Sequence, residues 1–180
     1  DLVIGNSNYT LPDAHRWHCI QIIGTSTIVA YNALNSVEFV ELNSGGVIVN
    51  SFSISSPDGA MTDLEYHNSI LCILINKHFA SSSALDNPLR ILLTDLTGAT
   101  LGNVAVPVQH AVVFESFAFD SDDNTYVVSR NQGSSGRGGT ILKIDPTAAI
   151  DYEQPMYRAD MTEIQLEGSN IVICGNSTDQ

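Results

Sequence analysis

The chain has 180 residues, 43% of them hydrophobic, which is enough apolar material for one domain with a sizeable core and argues against disorder. Against 20 acidic residues stand only 7 Lys and Arg, a formal charge of −13. A surface this anionic repels phosphate, so nucleic acid and membrane insertion are not expected, whereas metal cations and basic partners are attracted.

Charged residues make up only 15% of the chain, lysine is limited to Lys77 and Lys143, and Ser, Thr and Asn are abundant. That profile points to an extracellular or cell-surface setting. The longest apolar stretches, Ser69–Asn76 and Ala111–Phe114, are too short to cross a bilayer. With Asp1 first and no signal peptide, the expectation is a processed chain or a piece of a longer one. Cys19, Cys72 and Cys174 are an odd set without zinc spacing, so at most one disulfide forms; small buried core thiols are the plainer expectation.

In chain order the segments read as strands, because they alternate, favour Val, Ile, Thr and Tyr, and stop at Gly, Asn, Asp or Ser. Asp1–Asn6 (DLVIGN) opens the chain and Thr27–Asn32 (TIVAYN) follows. In the next phrase, Val37, Phe39 and Glu41 suggest the alternation of a solvated outer strand. Asp63–Tyr66 and Leu71–Asn76 flank a turn, and the insert Lys77–Asn87 contains the one helix candidate, Ser81–Asp86. Phe114–Phe119 leads through Asp120–Asn124 into Thr125–Asn131, and Thr162–Leu166 leads through a further turn into Asn170–Asn176.

These segments repeat. Taking the terminal asparagine as a marker, Asn32, Asn76, Asn131 and Asn176 are separated by 44, 55 and 45 residues. A second phrase recurs between them as Val37–Val49, Arg90–Leu101 and Thr140–Ile150. Aligned at Leu42, Asp95 and Ile144, its copies lie 53 and 49 residues apart. One period is thus two hairpins, or four antiparallel strands, the size and content of a propeller blade. A lone blade cannot bury both faces, so strands apolar on both sides, such as ILCILIN, are expected between neighbouring blades. The fold class expected is an all-β propeller of about four blade equivalents in a single domain over 1–180, with a β-sandwich as the alternative. Blade boundaries fall near 18–60, 61–110, 111–158 and 159–180, the last completed by 1–12. Asn6 to Asn32 spans only 26 residues, too few for a blade. Either the first strand closes a four-bladed ring as a clasp, or the chain is a segment of a larger propeller.

Phe117–Asn131 (FAFDSDDNTYVVSRN), Thr140–Ala149 (TILKIDPTAA) and Ile164–Ser177 (IQLEGSNIVICGNS) resemble the β-propeller repeats of secreted and surface bacterial proteins, and more loosely quinoprotein-type propellers. The resemblance implies a fold and a setting, not an activity. Ala148 stands where the pattern wants glycine, and the quinoprotein aromatic docking motif is absent, so no cofactor is expected.

The densest acidic cluster, Asp120, Asp122, Asp123 and Asn124, is the candidate calcium site. An EF-hand loop would want Gly and Glu where Thr125 and Asn131 stand, so a hairpin turn is the plainer reading. His15 and His18 flank Arg16 and Trp17; strand spacing does not put both rings on one face, but Arg16, Trp17 and His18 make a candidate binding surface. No G-x-S-x-G is present, and Gly133–Gly139 lacks the lysine and helix of a phosphate loop. Asp63 and the catalytic candidates Glu65, Glu115 and Glu163 recur in or beside the first strand of each blade, where side chains face the central channel. Asn8 and Asn176 open glycosylation sequons. Two functions follow as expectations. One is a binding or structural module that engages a protein, a glycan, copies of itself or other chains completing the propeller. The other is a hydrolase or lyase acting on a polysaccharide or lactone through channel-facing carboxylates.

Overall fold

β-Branched and aromatic residues dominate the segments between Gly, Asn and Asp turns, and the described segments fold into strands. The computed structural model describes residues 2–4, 7–9, 18–56, 59–77, 89–106, 112–131, 138–157 and 159–177. The helix candidate Ser81–Asp86 lies outside these. Among the described residues no helix is long and apolar enough to cross a membrane.

Every described element is a strand. A hairpin of β1 (Leu2–Ile4) and β2 (Ser7–Tyr9) comes first. The first blade is the meander β3 (His18–Ile23), β4 (Ser26–Asn32), β5 (Ser36–Leu42) and β6 (Ile48–Ser55). The second blade runs β7 (Gly59–His67), β8 (Ile70–Lys77), β9 (Leu89–Thr94) and β10 (Thr100–Val106). In the third are β11 (Val112–Phe119), β12 (Thr125–Asn131), β13 (Gly138–Ile144) and β14 (Ile150–Tyr157). A half-blade of β15 (Ala159–Glu167) and β16 (Asn170–Ser177) follows. All pairings are antiparallel between sequence neighbours, and β3, β7, β11 and β15 are successive inner strands, each packed on the next. This is the blade architecture of a β-propeller.

The core lies between blades. Ile28, Ala30, Val37 and Phe39 of the first blade meet Met61, Leu64, Leu71 and Ile73 of the second. Cys72, Leu74, Leu89 and Ile91 on the other face of the second blade meet Phe114, Phe117 and Val127 of the third. β8 therefore buries both faces, as its unbroken apolar run requires, and each fully buried side chain of this kind is worth about 1.5–3 kcal/mol. A smaller cluster joins Ala118, Val128 and Ile141 to Met161 and Ile164 of the half-blade. The expectation of a solvated strand beginning at Val37 is corrected. Val37 and Phe39 are buried because β5 is a third strand covered by the second blade, and the exposed outer strand is β6.

Two of the marker asparagines, Asn32 and Asn76, are clamps between blades. The Met61 amide donates to Asn32 Oδ1 at 2.7 Å, and Asn32 Nδ2 donates to the Met61 carbonyl at 2.8 Å. One blade later, the Phe114 amide donates to Asn76 Oδ1 at 3.0 Å, and Asn76 Nδ2 donates to the Phe114 carbonyl at 2.6 Å. Both Met61 and Phe114 sit at β-bulges in the inner strand, and a third bulge follows Met161. A bulge leaves main-chain groups outside the ladder, and the amide side chain carries the donor and acceptor that satisfy them. In the third blade the register places Arg130 at the clamp position, because Phe114 pairs with Ser129 as Met61 pairs with Ile75. The marker at Asn131 is thus one residue beyond its counterparts.

Turns between third and fourth strands repeat one device. Asp95 Oδ1 accepts from the amides of Thr97 and Ala99, and Asp145 Oδ1 accepts from those of Thr147 and Ala149. In the first blade Asn43 Oδ1 does the same for Gly45 and Val47. The left-handed position is Gly46 (φ 76°), Gly98 (φ 87°) and, in the third blade, Ala148 (φ 67°).

Candidate functional site

The inner strand of each blade turns its polar residues toward a common space. There, Cys19, Ile20 and Gln21 of β3, Thr62 to Glu65 of β7, Glu115 and Ser116 of β11, and Thr162 to Gln165 of β15 line a cavity of about 470 Å³. The candidates Glu65, Glu115 and Glu163 thus border one channel together with Asp63. They do not, however, occupy related positions. In register, Asp63 matches Ser116 and Glu163, Glu65 matches Ala118 and Gln165, and Glu115 is the bulge residue matching Thr62 and Thr162. The bulge shifts the two-residue period by one, which brings side chains from different repeat positions onto the channel wall.

Asp63 organises the wall. Its Oδ2 accepts from Ser116 Oγ at 2.7 Å and from the Phe117 amide at 3.0 Å, and its Oδ1 accepts from the Leu64 amide at 2.8 Å. Ser116 Oγ in turn accepts from the Ile164 amide at 3.4 Å, so the second blade, the third blade and the half-blade are linked through two side chains. Burial raises the Asp63 carboxyl above its ordinary range, with the Glu163 charge adding to the effect and the three hydrogen bonds opposing it. Glu65 is raised as well, first by burial and then by the charge of Asp63. Glu115 pairs with Arg130, and Glu163 is exposed.

The cysteines are free thiols: Cys72 is buried, Cys19 half-buried on the channel wall and Cys174 exposed. Burial, reinforced by the Asp63 charge at Cys19 and by Glu65 at Cys72, pushes both of those thiols up to about 12. They stay protonated and are poor nucleophiles.

The Asp120 cluster is a turn tied together by Asp120. Its Oδ1 accepts from the amides of Asp122 and Asn124, and its Oδ2 accepts from Asn124 Nδ2 at 2.9 Å and Tyr126 Oη at 3.3 Å. Asp123 instead bridges blades, with Oδ1 2.7 Å from both His67 Nε2 and Asn68 Nδ2, while Phe119 stacks on the His67 ring. Among the described residues no three His, Cys, Asp or Glu side chains are grouped to hold a metal ion.

Other candidates fall elsewhere. His15, Arg16 and Trp17 lie outside the described residues, and His18 is placed only as backbone of β3, opposite Tyr31. Asn8 is on β2 opposite Val3, and Asn176 is on β16 opposite Asp160. Of Gly133–Gly139, Gly138 and Gly139 begin β13 and the rest lies outside the described residues. Sequence reasoning missed Cys19, Gln21, Ser116 and Gln165 as wall residues. Their signal is a polar or thiol side chain in an inner strand: Ser116 stands two residues after Phe114 and Gln165 four after Met161, whereas β3, with Cys19 and Gln21, pairs with β4 without a register shift.

No family model matches the chain, and no curated protein matches it in sequence. Solved structures match in shape. A protein of unknown function from Bacteroides caccae aligns with a TM-score of 0.58 at 13% identity, over 88% of this chain and 52% of its own. An ACO/RPE65 chimera in a trigonal crystal form gives 0.54 at 15% identity, over 82% of this chain and 40% of its own. A mutant Synechocystis apocarotenoid oxygenase gives 0.52 at 15% identity with the same coverage. This chain therefore spans about half or less of the structures it resembles, and at such identities the likeness is one of fold. Fold and channel together define a β-propeller module.

Proposed function

We propose that this propeller is a binding module whose channel receives a cationic group, an amine or guanidinium presented by a protein partner. The observation that carries this reading is the channel wall: among the described residues its lining holds Asp63, Glu65, Glu115 and Glu163 and no Lys, Arg or His, with Arg130 reaching Glu115 from outside that lining. The whole-chain charge of −13 adds a long-range field of the same sign. The amides of Gln21 and Gln165 and the hydroxyl of Thr162 offer neutral hydrogen-bonding groups beside the carboxylates. An extracellular or cell-surface setting belongs to the same proposal and rests on composition.

The test is titration with a panel of Lys- and Arg-rich peptides and a panel of neutral oligosaccharides, using wild type and Glu163→Gln. Basic peptides should bind, weaken as ionic strength rises, and lose about tenfold in affinity with Glu163→Gln, as for one charge-assisted hydrogen bond of about 1.5–3 kcal/mol partly screened at an exposed site. Neutral glycans binding best, with no response to that variant, would overturn the reading.

A second reading has its own observation. Glu65 is shielded and held toward its protonated form, while Glu163 on the same cavity is exposed, an asymmetry of the kind that separates a general acid from a base. As a polysaccharide- or lactone-acting hydrolase or lyase the chain would lose turnover with Glu65→Gln and with Glu163→Gln separately. Retained turnover in both variants would end that alternative.

A further inference from the structure

We infer that Arg130 is a built-in competitor for the channel: its guanidinium sits on Glu115, and an incoming guanidinium gains that carboxylate by displacing it. The inference rests on the cation-binding reading above and narrows the partner's group from any cation to an arginine side chain. It starts from a substitution within the repeat. Glu115 is the bulge residue of β11, at the place where β7 has Thr62 and β15 has Thr162. Arg130 stands on β12 at the place where β8 has Asn76 and β16 has Asn176. In the second blade these two positions meet as a neutral pair, with Asn76 Nδ2 donating to Thr62 Oγ1 at 3.1 Å. In the third they meet as an ion pair, made by Arg130 Nε and Glu115 Oε1. The architecture therefore works with an uncharged pair here, and the charge on both positions of the third blade is additional to what the fold requires.

Exposure separates the two partners. The Glu115 side chain is 12% exposed and borders the cavity, whereas that of Arg130 is 45% exposed and approaches from outside the lining. The carboxylate is thus a fixed part of the wall, while the guanidinium is already nearly half in water. Ion pairs with so exposed a partner are weakly held. Asp63 offers no such opening, because its two oxygens already accept from Ser116, Phe117 and Leu64. Arg130 meets Glu115 from a strand of the same sheet, through Nε. An arginine on a partner is free to present its two terminal nitrogens as a fork, the stronger and more directional arrangement on a carboxylate. Lysine brings a compact, strongly hydrated point charge without a fork. Arginine thus displaces Arg130 more readily than lysine does, and the internal ion pair becomes a filter between the two.

The test uses two peptides that differ only in carrying one Arg or one Lys. They are titrated into wild type, Arg130→Gln, and the double variant Arg130→Asn with Glu115→Thr, which transplants the second blade's pair. Arg130→Gln should bind the arginine peptide about tenfold more tightly than wild type does, the scale of one charge-assisted hydrogen bond regained. The double variant should bind both peptides alike, and a surviving preference for arginine there would overturn the inference. In the wild type, the Arg130 Nε–H resonance should shift and exchange faster with water as the arginine peptide is added. A resonance that stays fixed up to saturation would overturn the inference, and it decides the matter if Arg130→Gln fails to fold. Equal affinities in wild type and Arg130→Gln, with Glu163→Gln still weakening the peptide, would overturn the inference and leave the cation-binding reading standing. Binding of neither peptide by any of the variants would overturn that reading and this inference with it.

Discussion

At the scale of single residues, the chain spends asparagine where a propeller most needs an adaptable partner. A bulge makes one amide and one carbonyl of the inner strand face the preceding blade, and Asn76 meets both at Phe114. Alanine at this position would leave two buried main-chain groups unsatisfied, at about 1–3 kcal/mol each. Asn76→Ala should therefore destabilise by about 2–4 kcal/mol in denaturant unfolding. Asn76→Asp should recover little of it, because a carboxylate cannot donate to the Phe114 carbonyl. A loss below 0.5 kcal/mol would show that water replaces the clamp.

At the scale of elements, the turn between third and fourth strands forces a left-handed residue, and the three blades solve this differently. Gly98 is at φ 87° with the Phe52 ring 2.6 Å from where a Cβ would stand, so alanine there is both strained and crowded. Ala148 already bears the strain at φ 67°. Left-handed geometry costs an L-residue about 1–2 kcal/mol, partly offset by the greater entropy glycine loses on folding. Ala148→Gly should raise stability by about 0.5–1 kcal/mol, and Gly98→Ala should lower it by more than that. Paired melting curves check the two signs together. The sequence marked Ala148 as the departure from the repeat, and the backbone there gives the departure its physical meaning.

Strand-turn-strand phrases ending in asparagine were enough to read the repeat and the blade, because inter-blade packing demands strands apolar on both faces and clamps at their ends. What could not be read was register. A bulge adds one residue to one strand, so Glu65, Glu115 and Glu163 look like copies of one position while occupying three. That they nevertheless border one channel follows from the inner strand being first in each blade.

For the whole molecule, the carboxylates on the channel wall set a pH dependence. Glu65 is raised above 4.5 in the folded state, so its ionisation costs stability: the favourable contribution is present below about 4.5 and lost as pH rises through the folded value. Glu65→Gln should therefore raise Tm at pH 7. The gain should disappear below the unfolded value of 4.5. A gain that persists at pH 3 would mean that packing, not charge, is responsible. Asp95 and Asp145 act in the opposite sense. Hydrogen bonds from Thr97 and Thr147 hold them below the usual range, so what they contribute is lost as pH falls through their folded values.

Because each sheet pairs only strands adjacent in the chain and each inner strand packs on the one before it, the main packing runs within a blade or between a blade and the next. Such a molecule resembles a row of dominoes more than a single switch: unfolding can begin at the half-blade and travel inward one blade at a time. Its cooperativity then depends on whether the row is joined into a circle, since a joined row has no end from which to start. The breadth of the thermal transition is thus itself a report on the ring.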